Sequence, residues 1–395
     1  MHLARRWPLQ VAGAAARDQA GPHAGRWYCE GMDTAWNQEQ GHGLGPDPAT
    51  VLEVAVLRPG GLASTVHAIP ALRHLRKTYP GARITVAVDA ASIDLVRACP
   101  YVDRCVDIGR PSELVIERFD VAVLLDNHQE IADAAAGTTA GAIRTRRGRR
   151  GGGPTLDLVD ARCRAAYQHP DHESRYHVYP EQVTRVPEHV RLLRLVWLLG
   201  GEQPDASLSL WPSLADRNGA AELVAGIERP IAVLHAGDAR SPSRWSRSTF
   251  ARVAALINDH GLQPVLVGTG LADDPTAVAD DWSSSTEWLK ESGVVVDLAD
   301  VPSVGELVGL LERASLFVGA DGGAGAIAVA LRVQSVVTGA WQTMPSLGTA
   351  DHVSYLTLVD GDDAQLAASQ LEQLLGQVMS SASRAHREWL RTRVR

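Results

Sequence analysis

At 395 residues, with 45% apolar and 21% charged residues, the chain is too long for one hydrophobic core and too apolar to stay disordered, so two globular domains are expected. A formal net charge of -8 gives no overall attraction to nucleic acid and excludes a protein that works by bulk charge on a polyanion. The four cysteines Cys29, Cys99, Cys105 and Cys163 are scattered without C-x-x-C or zinc-type spacing. No disulfide framework, metal site or cofactor is predicted from them, and a cytoplasmic location fits.

Residues 1–48 carry Gly, Pro, Gln and His without a period of 2 or 3.6, which reads as a poorly ordered extension. Its basic start is followed by an apolar stretch broken by Gln10 and Arg17, too short for a signal peptide. No apolar run in the chain approaches the roughly 20 residues a bilayer span needs, so membrane contact is expected to be peripheral at most.

From Val51 the pattern becomes regular. VLEVAVL reads as a buried strand, followed by a Gly-rich turn and a helix over 64–79. Strand 83–88, helix ASIDLVRAC, a short strand near Cys105 and strand 120–126 follow. Continuous apolar runs mark strands covered on both faces, as in a parallel sheet flanked by helices. Between 137 and 187 the pattern degrades; no element is predicted there until a helix starts at 188. The second half repeats the scheme: strand 230–236, helix 248–261, strands 263–268 and 293–298, helix 303–314, strand 315–320, helix 323–331 and strand 334–339, with a long final helix over 363–391. Two α/β domains whose strand ends face a cleft are expected. The divisions are an extension (1–48), a first domain (49–187), a linker helix (188–200), a second domain (201–360) and a C-terminal helix (361–395) packing back across the junction.

Three turns after strands could bind ligands. RPGGLAST, with Arg58, Gly60 and Gly61, lets the backbone turn sharply into a helix N-terminus that offers free N–H groups; on its own this could be a plain strand–helix turn. HAGDARSPSRW places His235, Gly237, Arg240 and Arg244 after a strand, and guanidinium forks suit a diphosphate. Gly268 closes the next strand. VGADGGAGAIAVAL brings Asp321, Gly322 and Gly323 to a strand–helix junction; its spacing fits neither the dinucleotide fingerprint nor a Walker loop, which disfavours NAD and ATP sites of those types. The run Arg144, Arg146, Arg147, Arg149 and Arg150 could steer an anionic acceptor, or be a solvated loop.

The run RPGGLASTVHAIPALRHLRKTYPGARITVAV resembles the opening of the heptosyltransferase family, glycosyltransferase family 9. HAGDARSPSRWS and VGADGGAGAIAVALRVQSVVTG are similar to its second-domain loops, in the same order and spanning about 51–345. The resemblance implies a GT-B fold of two Rossmann-like, doubly wound domains. It also implies an acceptor-binding first domain, a second domain holding a nucleotide sugar, usually ADP-heptose, and inverting transfer without a metal. Asp321, Gly322 and Gly323, with Arg244, carry over as donor-binding. Three positions depart from the family pattern. Ser64 stands where its Asp base is expected, beside Ala63 in place of Gly. Ser243 replaces a Lys, and Ala326 a His.

The base then has to come from elsewhere. His67, one helical turn from Ser64, is the first candidate; the alternative is a buried helix histidine with a satisfied hydrogen bond. Asp126 and His128, after the strand 120–126, are acceptor-side candidates by the same strand-end logic, with Glu130 and Asp238 as further bases. The expected partners are a nucleotide-sugar donor and a small-molecule or glycan acceptor. An inactive nucleotide-sugar-binding protein and a nucleotide-sugar epimerase or hydrolase are the alternatives.

Overall fold

A computed structural model describes residues 43–110, 117–125, 159–167, 178, 187–235, 247–268, 293–298, 303–320, 322–339, 352–357 and 372–373. The first sheet contains β1 (Glu53–Arg58), β2 (Arg83–Val88), β3 (Arg104–Asp107), β4 (Arg118–Leu124) and β5 (Asp160–Ala165), in the order β3-β2-β1-β4-β5 and parallel throughout. The second contains β6 (Ile231–His235), β7 (Gln263–Val267), β8 (Val296–Leu298), β9 (Leu316–Ala320), β10 (Ser335–Gly339) and β11 (Val353–Thr357), also all parallel, in the order β11-β10-β9-β6-β7-β8. The helices are α1 (Leu62–Thr78), α2 (Ile93–Arg97), α3 (Glu188–Trp197), α4 (Leu214–Leu223), α5 (Arg247–Asp259), α6 (Val304–Arg313) and α7 (Gly323–Ala330).

The apolar runs read from the sequence become the central strands, because β1, β2, β4, β6, β7 and β9 bury side chains on both faces. Three elements lie where none was expected. β5 falls inside the stretch where the pattern degrades, as an edge strand that buries Ala161, Cys163 and Ala165 and turns the intervening residues outward. The polar helix α4 is set by a capping box, in which Ser213 accepts from Asp216 N and the Asp216 carboxylate accepts from Ser213 N. The third is β11. The expected C-terminal helix lies outside the described residues except for Glu372, which pairs with Arg252 of α5 at 3.0 Å.

One contiguous apolar cluster runs from β1 and α1 through α3 into α7, β6 and β9, so the core crosses from one sheet to the other. The segment after α3 is fixed to α1 by polar contacts. His74 Nε2 lies 2.8 Å from the Gly200 carbonyl. The buried Arg73 guanidinium donates to the Asp205 carboxylate at 2.8 Å, to the Ser207 carbonyl at 2.9 Å and to the Ser209 hydroxyl at 2.5 Å.

Candidate functional site

In a doubly wound sheet, ligands bind beyond the carboxyl ends of the strands where the strand order reverses. In the first sheet that point lies between β1 and β4, and in the second between β6 and β9. The turn Arg58–Gly61 follows β1, the His235 loop follows β6, and the Gly322–Gly323 turn follows β9. Thus the described residues of the three motifs, the Arg58–Gly61 turn, His235 and Gly322–Gly323, sit at the two switch points.

The turns are built to expose backbone N–H groups. Gly60 has φ 101, a conformation open to glycine and costly for other residues. Gly61 caps α1 and Gly322 caps α7, neither with a side-chain hydrogen bond. By contrast, α4 and α6 are capped by Ser213 and Ser303. The two uncapped N-termini converge. A Cβ built on Gly323 would lie 2.9 Å from Leu62 Cβ, so α7 touches the first turn of α1 only because residue 323 has no side chain. Substitution Gly323→Ala is expected to force these helix ends apart and cost about 1–3 kcal/mol as overpacking, read as a lowered urea midpoint.

Arg58 lies fully buried beneath the first turn. Its Nε donates to the Ser64 carbonyl at 2.8 Å, one terminal nitrogen to the Leu125 carbonyl at 2.8 Å, and the other to Glu188 Oε1 at 2.6 Å. It therefore joins the ends of β1 and β4, the start of α1 and the start of α3. His67 Nδ1 lies 2.7 Å from the other carboxylate oxygen of Glu188. Arg191 approaches Glu188 at 3.7 Å, and the His189 ring lies 6.2 Å from that of His67. Burial acts to raise the Glu188 carboxyl, but Arg58, the hydrogen bond from His67 and Arg191 together hold it well below the usual carboxylate range. It is an anion. His67 is 2% exposed, and its Nε2 is buried without a hydrogen-bond partner among the described residues. Ser64 is buried beside it.

On the β6 side, His235 is packed between two glycines. A Cβ on Gly268 would lie 3.3 Å from its ring, and one on Gly319 would lie 3.0 Å from its Cβ. Two residues that the sequence did not single out lie on the first-sheet side, beside Arg58. Glu188 is one. The other is Asp89 at the end of β2, whose half-buried carboxyl is pushed up by burial against the opposing effect of the Gly60 N–H that donates to it. Its signal in the sequence was the same strand-end position that singled out Asp126. Asp126, His128, Glu130, Gly237, Asp238, Arg240, Arg244, Asp321 and the arginine run 144–150 lie outside the described residues. Among the described residues, no group of three or more His, Cys, Asp or Glu side chains could hold a metal ion, and no helix is long and apolar enough to cross a membrane.

Two parallel doubly wound sheets joined through one core, with turns meeting between their switch points, define a GT-B fold. Residues 160–338 match the family model Glycosyltransferase family 9 (heptosyltransferase). That match spans less than half of the chain and marks this stretch as similar to a glycosyltransferase domain. The fold is similar to that of Escherichia coli ADP-heptose lps heptosyltransferase II, at 18% identity and TM-score 0.62, over 84% of this chain and 100% of that one. It is also similar to a glycosyl transferase family 9 protein of Veillonella parvula, at 14% identity and TM-score 0.65, over 86% and 99%. A third similar structure is E. coli heptosyltransferase WaaC with ADP-2-deoxy-2-fluoro heptose, at 14% identity and TM-score 0.59, over 82% and 99%. No curated protein sequence matches the chain.

Proposed function

We propose that the protein transfers a heptose or related sugar from a nucleoside diphosphate, ADP-heptose first among the donors, to an acceptor hydroxyl, with inversion and without a metal. The observation that carries this reading is the convergence of two uncapped helix N-termini at Leu62 and Gly323. Their N–H groups and partial positive charge favour a diphosphate leaving group, which is where negative charge grows as the sugar departs. Support for the donor comes from the nucleotide-sugar analogue held by the similar WaaC structure.

In this reading the β6 and β9 turns bind the donor through His235, Gly237, Arg240, Arg244, Gly268, Asp321, Gly322 and Gly323. Gly60, Gly61, Asp126 and His128 form the acceptor side, and Arg58, expected there from the sequence, supports it from beneath because it is fully buried with all three nitrogens engaged. His67 takes the acceptor proton through Nε2, with Ser64 beside it in place of an acidic residue. Since Nε2 is covered, the acceptor has to uncover it on entering. A small-molecule or envelope-glycan acceptor suits the altered turn.

Calorimetric titration with ADP, GDP, UDP and ADP-heptose tests the donor half. ADP-heptose is expected to bind, and an Asp321→Ala, Arg244→Ala double variant to lose at least tenfold in affinity, because each charged hydrogen bond contributes about 1.5–3 kcal/mol. Absence of binding by all four at millimolar concentration would refute the donor site.

A further inference from the structure

We propose that Glu188 is the positioning residue of the reaction: shared between Arg58 and His67, its carboxylate fixes the proton of His67 on Nδ1 and so leaves the Nε2 lone pair for the acceptor. The inference rests on the reading of His67 as base and adds a residue 121 positions away in the chain, on a helix that otherwise serves as a connector.

The argument is one of donors and acceptors. Glu188 is held as an anion, so both of its oxygens only accept. Oε1 takes an N–H from Arg58 at 2.6 Å, and Oε2 faces His67 Nδ1 at 2.7 Å. An imidazole nitrogen at that distance from a carboxylate oxygen carries the hydrogen. In the neutral ring the other nitrogen then holds the lone pair. That nitrogen, Nε2, is the buried atom without a partner among the described residues. Arg58 pairs with the carboxylate at 2.6 Å, and Arg191 at 3.7 Å is a second cation beside it. Among the described residues, the charged or titratable side chains facing these groups are Arg58, Arg191 and His189, with Asp89 acting on Arg58 from the end of β2.

Glu188→Gln gives an unusual prediction because Arg58 can only donate. The amide oxygen must turn to Arg58, which puts the amide NH2 against His67 Nδ1. Nδ1 then becomes the acceptor and the ring proton moves to Nε2. The geometry is kept while the base is lost. In the serine-protease triad the equivalent carboxylate-to-amide change lowers kcat by about 10⁴ through the wrong tautomer, and a fall of that order, with unchanged affinity for ADP-heptose, is expected here.

The test is long-range ¹⁵N–¹H NMR of the full-length protein labelled at histidine, with His67 assigned by its loss in His67→Gln, alongside turnover of ADP-heptose by each variant. Expected are an Nδ1–H ring in the wild type, an Nε2–H ring in Glu188→Gln, and the kcat loss without a change in donor affinity. An Nε2–H ring in the wild type overturns the proposal, and so does a Glu188→Gln variant that switches tautomer yet keeps its kcat. Should Glu188→Gln not fold, the wild-type tautomer decides alone. Full activity in His67→Gln would instead sink the assignment of His67 as base, an outcome separable from the tautomer result.

Discussion

Arg58→Met is expected to lower stability by about 3–5 kcal/mol, the usual cost of removing one partner of a buried ion pair. The substitution keeps the apolar stem, so the loss isolates the guanidinium. Three acceptors each lose a donor at once, the Ser64 and Leu125 carbonyls and Glu188 Oε1. The pH dependence gives the sign. A depressed carboxyl contributes stability that is present above the unfolded value near 4.3 and is lost as pH falls through the lower folded value. Without Arg58, the largest effect opposing burial is gone and the Glu188 carboxyl moves up from its depressed position. The gap between wild type and variant is therefore widest at neutral pH and narrows toward pH 4. Urea unfolding at pH 7 and pH 4 measures both, and a gap that does not change with pH would remove the ion pair from the explanation.

His67→Gln is expected to reduce kcat by about 10²–10⁴, the range general base catalysis contributes, while donor affinity stays within twofold. The turns proposed to hold the donor follow β6 and β9, whereas His67 lies on α1 beneath the β1 turn. A loss confined to affinity for the donor would instead assign the residue to packing of the α1–α7 contact.

The strand–helix alternation was legible because central strands of a parallel sheet are apolar on both faces, and the runs from Val54 to Leu57 and from Leu316 to Val318 carry that signal directly. β5 was missed because only alternate residues are buried and Asp160, Arg162 and Arg164 occupy the others. α4 was missed because it is polar and holds Gly219, although Ser213 three residues before Asp216 was a readable start signal. The turns of the candidate site were legible, since glycines after strands mark backbone geometry that other residues resist. It was not legible in Glu188. An acidic residue just after Pro187 at a helix start has an ordinary explanation in the helix dipole. Its pairing with His67 exists only once α3 lies against α1. The three departures at Ser64, Ser243 and Ala326 were visible at once, yet they said only what was missing; the carboxylate–imidazole pair came from packing.

The fastening of the interdomain segment to α1 gives that helix a second duty. Residues 200–209 are riveted to α1 by His74 and Arg73, so this stretch of the connection between the sheets belongs to the body of the first. The helix that carries the proposed base is also the anchor post of the connector, and its first turn meets α7 at Gly323. A change at Arg73 would therefore unmoor the connector from the same helix on which the proposed chemistry depends.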